Sequence, residues 1–125
     1  MQVAMAAIVL TPAMYAANGA KPDGNVVTVR MEGKKFIPEQ ITIKSGDTVE
    51  WVNEVNGHKH QVTTDPEQAM DVNNVSMPKN AKPFDSGTVK PGESFRYRFT
   101  VPGTYRYTCP PHEMSGMVGT VVVEP

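Results

Sequence analysis

Soft and nitrogen metal ligands are concentrated in one short stretch near the C-terminus. Residues 107–117 read Tyr-Thr-Cys-Pro-Pro-His-Glu-Met-Ser-Gly-Met, which places a thiol, an imidazole and two thioethers close together. A sharp turn through the two prolines can aim the Cys109 sulfur and a His112 nitrogen at one point. Gly116 lets the chain fold back so that Met117 can reach the same point. Thiolate, imidazole and thioether together suit copper that cycles between Cu(I) and Cu(II), whereas calcium and magnesium prefer oxygen ligands.

A further strong ligand is needed, and the histidine count leaves few candidates for it. The chain holds three histidines, His58, His60 and His112. His58 and His60 are two residues apart in a predicted strand, so both are expected on one face, and only one of them can bind without crowding. Two histidines, one cysteine and a distant axial methionine form the ligand set of blue-copper electron-transfer sites. The residues therefore predict such a site, completed by either His58 or His60.

Short runs of alternating apolar and polar residues from Asn25 onward predict an all-β domain. In residues 95–100, three aromatic residues alternate with Arg96 and Arg98, which is typical of a strand with one buried and one solvated face. Gly, Pro, Asn and Asp interrupt the runs about every eight to twelve residues, as in sandwiches and barrels. Strands are predicted over residues 26–30, 40–44, 48–52, 95–100, 104–109 and 117–123.

The connections between these strands must bring the ligand-bearing segments together. A proline–glycine turn predicts a hairpin that joins residues 95–100 to 104–109, with Cys109 at the inner end of a strand. Residues 65–85 show no sustained alternation and contain three prolines, so they are expected to form a long connection with one helical turn near residues 67–71. A connection of this length fits a crossover between the sheets of a Greek-key sandwich.

Length, charge and cysteine count exclude several classes of protein. A chain of 125 residues with 39% apolar residues fits one compact domain and excludes a large multidomain enzyme. A net charge of -1 does not provide the basic field that binding to nucleic acid or to an anionic membrane needs. The single cysteine, Cys109, excludes an internal disulfide framework, a four-cysteine zinc site, an iron–sulfur cluster and a binuclear copper site with two bridging cysteines.

The first residues differ in composition from the rest of the chain. Residues 1–17 are mostly apolar, and the first basic residue is Lys21. The apolar run over residues 3–10 is far shorter than the roughly 20 residues of a membrane span, and small residues follow it, so a secretory signal fits better. We expect residues 1–20 to be a signal peptide or leader and residues 25–125 to be the copper-binding domain. An N-terminal anchor that is left uncleaved is the alternative.

Several motifs together resemble the cupredoxins, and within them the plastocyanin, halocyanin and pseudoazurin group of small type 1 copper proteins. The resemblance extends from about Val27 to the C-terminus. It rests on the Cys-x2-His-x4-Met spacing that leads into Val118-Gly119, and on four further segments, Gly46–Trp51, His60–Val62, Phe84–Gly87 and Pro102–Tyr105. Cys-x2-His alone would be a weak signal, whereas the combination is specific.

The resemblance implies both a fold and a ligand set. The fold would be a Greek-key β-sandwich or barrel of about seven to eight strands. His60, Cys109 and His112 would be the equatorial ligands of one type 1 copper ion, and Met117 the weak axial ligand. His60 is preferred over His58 because Gln61-Val62 follows it, as a small polar residue and valine follow the first ligand in the family. Gln61 stands where the family usually has asparagine, whose backbone N–H bonds the cysteine sulfur and whose side chain ties two loops.

The resemblance also implies a function. We expect a small soluble electron carrier and not an enzyme, monomeric, with a copper ion that cycles between Cu(I) and Cu(II). Redox partner proteins, such as a cytochrome, a photosystem or a copper or haem oxidoreductase, would dock at the end where His112 lies. The mature domain would work without stable membrane insertion, in the periplasm or another extracytoplasmic compartment such as the thylakoid lumen. Nucleic acid is not an expected partner.

Two other functions compete with electron transport at this level. A copper carrier or chaperone would hand on the ion without redox cycling, and reversible oxidation distinguishes the two. A catalytic copper domain would need ligands for a second copper, and beyond His58, His60 and His112 the chain has no further histidine to supply them.

Overall fold

The computed structural model describes residues 24–125, and the predicted leader over residues 1–20 lies outside the described part. Within this range, seven strands form two sheets, as the predicted all-β sandwich requires. They are β1 (Val26–Glu32), β2 (Lys35–Ile37), β3 (Gln40–Lys44), β4 (Thr48–Asn53), β5 (Ser94–Arg98), β6 (Gly103–Thr108) and β7 (Val118–Glu124). Among the described residues, two 3-10 helices, Val72–Asn74 and Pro110–Ser115, lie in the connections.

The sheets combine parallel and antiparallel neighbours. The four-stranded sheet has the order β2-β1-β4-β5, and the three-stranded sheet has the order β3-β7-β6. The pairs β1–β4 and β3–β7 are parallel, and the remaining neighbours are antiparallel. Because parallel neighbours cannot be joined by a tight turn, the chain must pass repeatedly from one sheet to the other.

The core lies between the two sheets and is rich in aromatic rings. Trp51 of β4 is fully buried, and its ring lies 5.2 Å from that of Tyr107 on β6, measured between centroids. Phe84, Phe95 and Phe99 also surround the indole at centroid distances of 5.9, 5.8 and 6.3 Å. Alternation on the strands produces this core, since it turns every second side chain inward. The same core includes Cys109 at the end of β6.

The predicted hairpin between residues 95–100 and 104–109 is wrong. β5 pairs with β4 in one sheet, and β6 pairs with β7 in the other. β5 ends at Arg98, and the backbone of Phe99 then hydrogen bonds to Gly46 and Asp47 instead of to β6. The proline–glycine turn is therefore a corner between two sheets, because the backbone groups that would close a hairpin are already paired elsewhere.

The long connection also differs from its predicted course. It leaves β4, runs beside β6 through bridges that join Thr63 to Thr108 and Ser76 to Arg106, and returns to β5, the neighbour of β4 in the same sheet. A single helical turn lies slightly earlier than the predicted residues 67–71: the N–H groups of Gln68 and Ala69 both donate to the carbonyl of Asp65, at 3.0 and 3.2 Å. A short 3-10 helix follows at Val72–Asn74. This connection pairs with the outer edge of β6, and Thr108, which alternation assigns to the wet face, is fully buried where Thr63 bridges to it.

The segment that contains His58 and His60 is not a strand. His60 makes one isolated antiparallel bridge to Val89, and the Asn53 side chain donates to the carbonyl oxygens of His58 at 2.6 Å and of Val89 at 3.1 Å. The two histidines therefore do not share a face as period-two geometry would require. His60 is 1% exposed, whereas His58 lies on the surface.

Gly119 on β7 has no room for a side chain, and we expect Gly119→Ala to destabilise the protein by about 1–3 kcal/mol. A Cβ at this position would lie only 2.3 Å from the ring and hydroxyl of Tyr107, which is itself fully buried and packed on Trp51. Urea unfolding measures the change. Glu124→Ala, at the exposed end of the same strand, is the control and should stay within about 0.5 kcal/mol. Equal stabilities of the two variants would contradict this packing.

Within residues 24–125, none of the helices is long and apolar enough to cross a membrane.

Candidate metal centre

The loop over residues 109–117 is closed by its own backbone. The N–H of Cys109 donates to the carbonyl of Met117 at 3.1 Å, and the N–H of His112 donates to the carbonyl of Cys109 at 2.9 Å. Pro110 begins the 3-10 helix, where its fixed φ and missing N–H cost nothing. Gly116 ends the helix in the left-handed conformation, at φ 83°, and so turns the chain back as the sequence predicts.

Three of the predicted ligands meet at one point. The ligand atoms of His60, Cys109 and His112 all lie within 4.8 Å of one another. The Cys109 Sγ is 3.7 Å from the Nδ1 of His60 and 3.5 Å from the Nδ1 of His112. His60 and Cys109 are buried, whereas His112 is partly exposed. Two imidazoles and one thiol thus converge from two distant parts of the chain, and one of the imidazoles reaches the surface.

Met117 and His58 lie close to this cluster in different ways. Met117 is 1% exposed, and its carbonyl oxygen accepts hydrogen bonds from the Cys109 N–H and from the Thr108 hydroxyl, the latter at 3.0 Å. Its backbone therefore closes the loop against the backbone of Cys109. The His58 ring lies 5.2 Å from the His112 ring, between centroids, but His58 is exposed and is not part of the converging group.

Gln61 links the two ligand-bearing segments. Its backbone N–H donates to the Cys109 Sγ at 3.4 Å, so the backbone contact that the resemblance implies is present. Its side-chain amide donates to Asp85 at 2.6 Å and to Gln68 at 3.3 Å. The longer glutamine thus still ties loops together. A sulfur that accepts a hydrogen bond from a backbone N–H is held in position by the protein itself.

Burial dominates the proton affinity of the three side chains. Burial, reinforced by the charges of His112 and His58, lowers the pKa of His60 from 6.5 to about 4. Burial also lowers the pKa of His112 and raises the pKa of the Cys109 thiol, against hydrogen bonds from the backbone N–H groups of Gln61 and His112. At neutral pH without metal, both imidazoles are therefore uncharged, and an entering metal ion needs to displace only the thiol proton.

The low pKa of His60 makes the stability of the metal-free protein depend on pH. Between pH 6.5 and about 4 the unfolded chain binds a proton at residue 60 that the folded chain does not bind. The free energy of unfolding should therefore fall as the pH is lowered through this window. Denaturant titrations at several pH values measure it. In His60→Gln this part of the pH dependence should disappear, and an equal slope in both proteins would refute the assignment.

The donor set fits a copper ion. The Nδ1 atoms of His60 and His112 both face the Cys109 sulfur, so a metal ion between them could accept the lone pairs of two imidazoles and one thiolate. One thiol and two imidazoles are soft and borderline ligands, which suit copper better than oxygen-seeking ions.

Two residues that hold this region were not singled out from the sequence. The Asn53 side chain donates to the carbonyl of His58 and so anchors the segment before His60. Glu113 accepts a hydrogen bond from the backbone N–H of Met70, which lies in the connection between β4 and β5. For Glu113 the only sequence signal was a carboxylate between His112 and Met117. For Asn53 there was no signal beyond its place directly after the predicted strand over residues 48–52. Its side chain donates to two backbone carbonyls, which residue types in the sequence do not reveal.

Comparisons with known proteins agree with this site. The family model of copper-binding proteins of the plastocyanin/azurin family matches residues 25–124. Plastocyanin from Scenedesmus fuscus is 36% identical over 89 residues, which are 71% of this chain and 86% of that protein. Chloroplastic plastocyanin from Chlamydomonas reinhardtii is 36% identical over 90 residues, 72% of this chain, and the chain spans only 59% of its length.

A solved structure gives the same result for the fold. Amicyanin from Paracoccus versutus aligns with a TM-score of 0.59 and 31% identity, over 87% of this chain and 89% of that chain. An amicyanin variant in its reduced Cu(I) form at pH 4 aligns with a TM-score of 0.61 and 28% identity, over 87% and 86% of the two chains. The match over nearly the whole described region leads to one conclusion: the chain belongs to the plastocyanin/azurin family of copper-binding proteins, and is a cupredoxin with copper as its cofactor.

Proposed function

We propose that this protein is an electron carrier whose single type 1 copper ion is held by His60, Cys109 and His112, with Met117 as the weak axial ligand. The observation that carries the proposal is the convergence of three ligand atoms within 4.8 Å, two of them on buried side chains and one on a side chain that reaches the surface. When bound, copper would supply one-electron exchange between Cu(I) and Cu(II).

The protein's part is to hold the ligands in one geometry. Cys109 is held by its backbone bond to Met117 and by the Gln61 N–H on its sulfur. His60 is held by two backbone hydrogen bonds with Val89, at 2.8 and 3.0 Å. Ligands that are fixed by the fold cannot rearrange freely when the charge of the ion changes, and this keeps the reorganisation on electron transfer small.

His112 offers the route to a partner. It is the one member of the converging group that is partly exposed, and Met114, two residues later in the same loop, is 87% exposed. An exposed ring edge with an exposed apolar side chain in the same loop gives a partner a direct approach to the ion. Redox partner proteins would therefore dock at this end, outside the cytoplasm. The apolar leader-like residues 1–17 and the chloroplastic plastocyanins among the relatives support this location.

Reversible oxidation of the copper-loaded protein tests the function. The oxidised protein should show an intense blue absorption band and a copper EPR signal, and both should vanish and return during a potentiometric titration. The zinc-loaded protein is the matched control and should show neither signal. A protein that binds Cu(I) but releases copper on oxidation would instead be a carrier or chaperone, and the proposal would be wrong.

A charge at position 114 should slow electron exchange without altering the copper site. We expect Met114→Glu to lower the self-exchange rate between oxidised and reduced protein by about tenfold, because two like charges would have to meet and lose water at the contact. NMR line broadening in mixtures of the two redox states measures this rate without a known partner. Val26→Glu, on a half-exposed side chain at the start of β1, is the control. Equal rates in the two variants would exclude the His112 end as the route.

A further inference from the structure

Glu113 is a buried carboxylate in the loop that carries three of the proposed ligands. It is 6% exposed, and among residues 24–125 the only other buried carboxylate is Asp47, at the far end of the sandwich from this loop. The Oε1 of Glu113 accepts the backbone N–H of Met70 at 2.9 Å. Its Oε2 accepts the backbone N–H of Asp71 at 2.9 Å and the side-chain amide of Asn74 at 2.8 Å. Both oxygens are thus used as acceptors, in the manner of an ionised carboxylate.

All three donors lie in another part of the chain, about forty residues earlier, next to or within the 3-10 helix Val72–Asn74. The contact therefore joins the ligand loop directly to this segment, which also bridges to β6 through Ser76 and Arg106. Its other end is the ligand loop itself, because Glu113 directly follows His112 and its carbonyl accepts the N–H of Gly116 at 2.9 Å. Hydrogen bonds to a charged acceptor are stronger than neutral ones, so this contact is a firm anchor for an otherwise short loop.

We propose that Glu113 is a positioning residue of the copper centre, which fastens the loop of His112 to residues 70–74 and places a fixed negative charge next to the ligands. The proposal rests on the copper function proposed above. It has two separable parts. The anchor limits movement of the imidazole of His112, and the charge favours the more positive oxidation state of a nearby ion, so it lowers the reduction potential.

A charge-removing variant tests both parts. In Glu113→Gln one acceptor oxygen becomes an NH₂ group that faces N–H donors, and the negative charge is lost. We expect a higher reduction potential, with the blue band retained because no ligand changes. Hydrogen exchange at the amides of Met70 and Asp71 in the metal-free protein should become at least tenfold faster. Glu67→Gln removes the same charge from an exposed position on the same connection and should leave the potential unchanged.

A second variant separates the anchor from the charge. Asn74→Ala removes one of the three donors and keeps the carboxylate, so we expect faster exchange at Met70 and Asp71 without a rise in the potential. Should Glu113→Gln not fold, exchange in Asn74→Ala decides the matter: acceleration supports the anchor, and an unchanged rate overturns it.

The outcomes distinguish this proposal from the copper function. If the unaltered protein shows no reversible blue signal, both are overturned. If it shows the signal and folded Glu113→Gln has the same potential and the same amide exchange as the unaltered protein, only the role of Glu113 is overturned. A change in unfolding free energy alone, with both readouts constant, would reduce Glu113 to a packing residue and also overturn the proposal.

Discussion

Cys109→Ser should lose the blue absorption band completely. The sulfur lies 3.5–3.7 Å from the Nδ1 atoms of both imidazoles and is fully buried, and it would be the one donor of the converging group that becomes anionic when a metal displaces its proton. A serine hydroxyl is hard and stays protonated at neutral pH, so it cannot replace a thiolate bound to copper. Absorption and EPR spectra of the copper-loaded variant measure the loss. We also expect the affinity for copper to fall by at least tenfold.

The control for this substitution lies one residue away. Thr108→Ser changes a side chain that is equally buried but keeps the hydroxyl that donates to the carbonyl of Met117. Its blue band should survive, and circular dichroism should show that both variants are folded. A blue band that persists in Cys109→Ser would mean that the thiol is not a ligand, and the proposed site would then be wrong.

Trp51→Ala should cost about 3–5 kcal/mol of the free energy of unfolding, enough to threaten folding at ambient temperature. The indole is fully buried at the centre of the sandwich and packs against aromatic rings from both sheets. Its removal leaves a cavity that rigid neighbouring rings cannot fill. Urea unfolding followed by far-UV circular dichroism measures the change, since Trp51 is the only tryptophan and its fluorescence disappears with it.

Two comparisons make this result specific. Trp51→Phe keeps an aromatic ring and should recover more than half of the loss, because most of the packing surface returns. Val55→Ala, on a residue that is 78% exposed, should change the stability by less than about 0.5 kcal/mol. A loss below 1 kcal/mol in Trp51→Ala would show that the two sheets are not held together at this point.

Local patterns in the chain predicted the class of fold and the chemistry of the C-terminal loop. Alternation identified strands such as β3, whose predicted bounds match the observed Gln40–Lys44, because the face of a residue in a strand depends only on its immediate neighbours. The spacing of Cys109, Gly116 and Met117 similarly predicted a loop that folds back, since its conformation depends on residues within the loop. The resemblance then favoured His60 over His58, and the structure places His60 beside the sulfur.

Strand pairing and burial in the connections were decided by the tertiary structure alone. The hairpin between residues 95–100 and 104–109 was wrong because the partners of Phe99 are Gly46 and Asp47, more than fifty residues earlier in the chain. Alternation assigns Thr108 to the wet face of its strand, but it is fully buried where the distant Thr63 bridges to it. The anchoring of Glu113 by residues 70–74 has the same origin. Sequence periodicity predicts which side of its own strand a residue occupies. Strand pairing depends instead on which remote segment forms the most favourable hydrogen bonds with the same backbone groups, and this is decided only when the whole chain folds.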